Sequence, residues 1–171
     1  MGLDIDAWSR LTPYAGPPCV NTRICQMAPE YQTALIPPAR ALGHIRLRTG
    51  LKDINEIREE FGMEPDRCYM GAAHYEFRLS YDEYSEWLAW LDTWNPIASA
   101  ILSEQEDNDD NTMGARAVAR LLAALSPELF NATFGDCSEI SWGDWENCVG
   151  IYRDFVRACG LAAQDGLLAF R

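Results

Sequence analysis

Ser80-Tyr81-Asp82-Glu83-Tyr84-Ser85-Glu86-Trp87-Leu88-Ala89-Trp90-Leu91-Asp92-Thr93-Trp94 is the stretch at which the chain turns from strand-like to helical. Ser80 followed three residues later by Glu83 is the pattern of a capping box. In that arrangement the serine hydroxyl accepts from the third helical N–H, and the glutamate reaches back to the serine N–H. Tyr84, Trp87, Leu88 and Leu91 then recur at three- and four-residue spacing, which places them on one helix face. Asn95-Pro96 closes the segment, because the residue before a proline is pushed out of the helical region. The pattern predicts a helix over 81–94.

Downstream the periodicity stays helical. Pro96 suits a first helical position behind an Asn95 cap, so a short helix is expected to run through Leu102. Residues 104–111 are too polar for a core. Ala115, Val118, Leu121, Leu122 and Leu125 make a stripe on an alanine-rich segment that closes at Ser126-Pro127. Ser141 and Asp144 resemble a capping pair, and Trp145, Cys148, Val149, Tyr152, Phe155, Val156 and Cys159 follow as the longest apolar helical stripe in the chain. Asp165-Gly166 signals a turn, with 167–170 returning as a closing edge strand.

Upstream the period is that of strands. In 3–8, Leu3, Ile5 and Ala7 share one face while Asp4, Asp6 and Trp8 share the other. Six prolines (Pro13, Pro17, Pro18, Pro29, Pro37 and Pro38) restrict 12–38 to short pieces, with an extended one expected at 20–27. Residues 44–49 alternate between Gly43 and Gly50 as a second strand. Leu51, Ile54, Ile57 and Phe61 make a short amphipathic helix stopped by Gly62 and Pro65, and 68–79 holds one or two strands kinked at Gly71. A strand-rich, proline-rich 1–79 and a helix-rich 80–171 predict a single α+β domain, its helices packed on one face of a small, mostly antiparallel sheet.

Charge narrows the function. One lysine, Lys52, and the arginines total 14 against 26 acids, a net charge of −12. Long-range attraction to phosphate or anionic lipid is therefore disfavoured, and a basic protein partner is favoured over direct nucleic-acid contact. No apolar run reaches the roughly 18 residues of a spanning helix, which predicts no membrane partner. Asp4, Asp6 and Arg10 do not suit a secretory leader, so the six cysteines are expected reduced, in a cytoplasmic setting.

Catalytic patterns are sparse. His44 and His74 are the two imidazoles, and both read as structural; a Cys68–His74 pair would be the one combination of nucleophile and base. Cys148 and Cys159 fall on the last helical stripe and read as core, while Cys19 and Cys25 lack further zinc ligands nearby. Counting an EF-hand from Asp107 puts Thr112 where glycine is required and Val118 where a bidentate glutamate is required. Glycine-rich phosphate loops and nucleophile elbows are missing as well. No cofactor and no catalytic residue is expected.

Two groups remain as binding candidates. Asp107, Asn108, Asp109, Asp110 and Asn111 form an acidic contact surface for a basic partner. Tyr81, Tyr84 and Trp90, rimmed by Asp82, Glu83, Glu86 and Asp92, form an aromatic patch, because Trp90 lies one residue off the apolar stripe. The aromatics with Arg46, Arg48 or Arg78 would alternatively stack and hold a nucleotide-like ligand. Asp107 and Asp109 with a divalent cation would make a carboxylate enzyme, the second alternative.

Met1-Gly2-Leu3-Asp4-Ile5, Ser80 through Trp87 and Ala162-Ala163-Gln164-Asp165-Gly166-Leu167-Leu168-Ala169-Phe170 resemble a family of uncharacterised bacteriophage and prophage proteins, over about a third of the chain. The resemblance implies a phage accessory protein expressed in a bacterial host. Small acidic phage proteins of that kind resemble inhibitors of host defence, including anti-CRISPR proteins, which bind a host effector or sequester its nucleotide signal.

Overall fold

Strand β1 (Gly2–Ser9) is the spine of the fold, and its alternation decides what each face of the sheet meets. The structure, a computed structural model, describes residues 2–13, 44–46, 54–64, 68–106, 112–134 and 146–170. β1 pairs antiparallel along its whole length with β5 (Ala73–Ser80), from Gly2 opposite Ser80 to Ser9 opposite Ala73. Its other edge pairs with β7 (Leu167–Phe170), from Ile5 opposite Phe170 to Trp8 opposite Leu167. β6 (Thr112–Gly114) adds beyond β7, giving an antiparallel sheet of order β5-β1-β7-β6. A second antiparallel sheet of order β2-β4-β3 joins β2 (Thr12–Pro13), β3 (His44–Arg46) and β4 (Cys68–Met70). The break between β4 and β5 falls at Gly71, where a kink is expected.

The helices are α1 (Ile54–Phe61), α2 (Tyr81–Trp94), α3 (Pro96–Glu106), α4 (Ala115–Ala124), α5 (Pro127–Phe134) and α6 (Glu146–Ala162). With the small antiparallel sheet they make the α+β architecture the periodicities predict. Leu3, Ile5 and Ala7 of β1 join Leu168 and Phe170 of β7 in one core with residues from α2 through α6, including Trp87, Leu102, Leu121, Phe130 and Phe155. On the opposite face Trp8, Leu167 and Ala169 meet Ile57 and Phe61 of α1, Met63, and Tyr69 of β4 in a smaller apolar layer.

β7 is an interior strand, not the edge strand expected for 167–170. All four residues are buried, two to each side of the sheet. Leu-Leu-Ala-Phe lacks apolar–polar alternation, which is the mark of burial on both faces. β6, too short to show a period of its own, covers the edge.

α5 is a second departure. Ser126-Pro127 ends one helix and also starts the next: Pro127 takes the first helical position, and the Ser126 hydroxyl accepts from the Leu129 N–H at 3.3 Å. α3 starts as predicted and continues past Leu102 to Glu106. Asn95, 3% exposed, fixes that corner: its Oδ1 accepts from the Ala98 N–H at 3.1 Å and its Nδ2 donates to the Ala124 carbonyl at 2.7 Å. The extended piece expected at 20–27, the remainder of the 44–49 strand, Leu51, the Ser141–Asp144 capping pair with Trp145, and Cys19, Cys25 and Cys137 lie outside the described residues.

α2 begins with the full capping box. Ser80 Oγ accepts from the Glu83 N–H at 3.1 Å, and Glu83 Oε2 accepts from the Ser80 N–H at 2.7 Å. The bond from the Ser80 backbone, then that from its side chain, hold the Glu83 carboxyl below its ordinary value of 4.5. Ser80→Ala is expected to destabilise the protein by about 1 kcal/mol in urea titrations. A lowered folded pKa makes the Glu83 contribution fully present above the ordinary carboxylate range and lost as pH falls through the lowered value. The difference between Glu83→Gln and wild type therefore shrinks in strong acid; a difference that stays constant from neutral pH to well below the ordinary value contradicts a Glu83 carboxylate held by the Ser80 N–H.

Candidate functional site

The register of β1 on β5 builds a polar stripe on the face turned away from the larger helices. Asp4 lies opposite Arg78, Asp6 opposite Glu76, and Trp8 opposite His74. Directly opposed residues of an antiparallel pair share a face, with diagonal neighbours within reach of long side chains. Arg78 Nε makes a half-exposed ion pair with Asp4 Oδ1 at 3.3 Å. Asp6 Oδ1 meets His74 Nε2 along the diagonal at 2.7 Å, with both side chains largely shielded from solvent. The His74 ring stacks on Trp8, centroids 5.0 Å apart and planes 20° apart. Glu76 is exposed, and its carboxylate completes a group with Asp6 and His74 whose ligand atoms all lie within 4.8 Å of one another.

One imidazole nitrogen and two carboxylates suit a first-row divalent ion, since zinc takes nitrogen and oxygen ligands alike and imidazole suits zinc, copper, iron and nickel. Sequence reasoning missed this trio. Asp6 was visible as the polar side of an alternating strand and His74 as a lone structural histidine, but they stand 68 positions apart. Strand pairing alone brings them together, and register over that distance has no local signature. His74, read from sequence as structural, is engaged by Asp6 and Trp8, which is how the structure places the histidine of the Cys68–His74 combination considered from the sequence.

The aromatic candidates are corrected by burial. Tyr84 and Trp90 are 5% and 6% exposed and belong to the helix-side core, so neither presents a face for base stacking; Tyr81, at 50% exposed, does reach solvent. Trp87 lies face to face with Phe155, centroids 4.2 Å apart and planes 2° apart. Trp90 stacks on Phe134 at 5.6 Å, and Trp94 meets Phe130, Phe134 and Tyr152 edge-on. α2 is thus walled on two flanks. α6 takes the Tyr84 and Trp87 side, and α5, which sequence periodicity did not reveal, takes the Trp90 and Trp94 side. Arg78, one of the cations considered for a phosphate, is paired with Asp4.

Asp107, Asn108, Asp109, Asp110 and Asn111 lie outside the described residues, between the end of α3 at Glu106 and the start of β6 at Thr112. The elements leading to them are acidic on the outside: Asp82, Glu86 and Asp92 on α2 and Glu104 on α3 are all exposed. Between Arg78 and Arg116 the sequence carries nine acids and no Lys, Arg or His. No cation within that segment offsets this charge.

Cys148 and Cys159 are buried free thiols on α6. Burial, and secondarily Glu86, push the Cys148 thiol up, and burial alone pushes Cys159 to about 12. A thiol so raised stays protonated at neutral pH and packs as a small apolar group. Among the described residues no helix is long and apolar enough to cross a membrane. No protein-family model, curated protein or solved structure matches the chain.

Proposed function

We propose that this chain is a non-enzymatic acidic protein that binds a basic surface of a nucleic-acid-handling protein, in the manner of a phage-encoded, anti-CRISPR-like inhibitor of host defence. The observation that carries this reading is the acidic outer side of α2 and α3, which exposes Asp82, Glu86, Asp92 and Glu104 within a segment of sequence that carries nine acids and no Lys, Arg or His. A surface of one sign steers an oppositely charged partner toward it, and carboxylates occupying a cationic groove compete with the phosphates that groove serves. The likeness of three segments to phage proteins supports the setting. With Tyr84 and Trp90 in the core and Arg78 paired, nothing among the described residues favours the nucleotide-binding alternative; Arg48 and the Arg46 side chain lie outside them.

Affinity capture from bacterial lysate at low ionic strength tests the proposal. A nucleic-acid-handling protein of net positive charge is expected on the resin, released as salt shortens the Debye length from about 10 Å at 0.1 M to about 3 Å at 1 M. Retention of no basic protein, or retention indifferent to salt, overturns it.

A further inference from the structure

We propose that Asp6, His74 and Glu76 form a binding site for a divalent transition-metal ion, independent of the acidic surface on α2 and α3. Asp6 is 7% exposed, which is unusual for an aspartate that has Glu76 directly across the ladder on the same face. Like charges directly opposite on a sheet repel, and a dication held between the two carboxylates turns that repulsion into shared attraction.

The geometry needs little adjustment. Ions of this class sit about 2.0–2.2 Å from imidazole nitrogen and carboxylate oxygen, so ligands sharing one ion are separated by roughly 3–3.6 Å. Asp6 Oδ1 and His74 Nε2, now 2.7 Å apart, would open by a few tenths of an ångström. Glu76 is exposed and closes the group from within 4.8 Å by turning its side chain. Trp8 backs the imidazole and holds its plane, and the backbone ladder of β1 and β5 fixes all three Cα positions. Such preorganisation on paired strands distinguishes the group from loose surface acids. Imidazole favours zinc or cobalt over magnesium and calcium, which prefer all-oxygen shells. Three protein ligands leave a coordination position for water or for a donor atom of a bound partner.

Calorimetric titration of the chelator-treated full chain with ZnCl2, CoCl2 and MgCl2 tests the site. Zinc and cobalt are expected to bind with one-to-one stoichiometry and raise the melting temperature, with magnesium far weaker. Glu76→Gln, on an exposed position that leaves the fold intact, and His74→Gln are each expected to weaken zinc binding by at least on the order of tenfold. They should also reduce the zinc-dependent rise in melting temperature at a given zinc concentration. Bound cobalt should show visible absorption bands that change in Glu76→Gln. Absence of zinc and cobalt binding overturns the proposal. So does binding left unchanged by Glu76→Gln, which would place the ion elsewhere, for instance at 104–111.

Discussion

Gly166→Ala is expected to destabilise the protein by about 3 kcal/mol or more, beyond the usual range for adding one methyl group. A β-carbon at this position would overlap the backbone carbonyl oxygen of Trp8 and approach that of Ala162 at 2.9 Å. Neither obstacle is a side chain that can rotate away. Gly166 ends the turn that returns α6 to the sheet, and the next residue, Leu167, is the register partner of Trp8. The same turn is stitched to the end of β1 by Arg10 N–H donating to the Gln164 carbonyl at 2.7 Å and Leu11 N–H to the Asp165 carbonyl at 3.0 Å. Relief would require β1 and β7 to part where both apolar layers meet. Gly150, exposed in the interior of α6 with open space where a methyl group would sit, provides the contrast. Gly150→Ala should be neutral or stabilising by up to about 1 kcal/mol. A Gly166→Ala protein that unfolds at the wild-type urea midpoint contradicts this packing.

Trp87→Ala is expected to lower stability by about 3–5 kcal/mol and to remove much of the near-ultraviolet circular dichroism. Trp87 is fully buried and parallel to Phe155, which is met edge-on by Phe77 at 5.1 Å and neighbours Tyr84 and Phe170. Removing the indole opens a void between α2 and α6 whose aromatic walls cannot collapse far. Among the described residues its Nε1 has no hydrogen-bond partner, so the loss is one of packing and dispersion. A loss below about 1.5 kcal/mol in denaturant titrations would show that α2 is not anchored through this ring.

Much of the fold was legible because local signals and tertiary environment agree. The Ser80–Glu83 capping box, the β1 alternation and the α6 stripe each appear where the residue pattern puts them. β6 and α5 were not legible for different reasons. Three residues show no period, and Asn131, Thr133 and two phenylalanines give α5 little helix propensity, so its formation rests on the Ser126 cap and the burial of Phe130. That omission propagated to Trp90, which looks exposed only if nothing stands beside α2. The interior position of β7 was likewise hidden until β6 closed the sheet beyond it.

The candidate site divides along the same line. The acidic character of 81–111 is a property of composition and can be read directly. Asp6, His74 and Glu76 become neighbours through the β1–β5 register, a non-local fact. His74, between Ala73 and Tyr75 in sequence, carries no hint of the carboxylates it meets.

The binding proposal turns on whether the exposed carboxylates of α2 and α3 meet the partner. The decisive measurement is the affinity of the captured partner for wild type and for a variant carrying Asp82→Asn, Glu86→Gln, Asp92→Asn and Glu104→Gln, each over a range of salt concentrations. These side chains are solvent-exposed, so the fold is expected to survive the changes. The variant should bind at least on the order of tenfold more weakly at low salt and show a shallower salt dependence, as fewer charge pairs remain to be screened. Equal affinity and an equal salt slope for the two proteins would contradict an acidic α2–α3 binding surface.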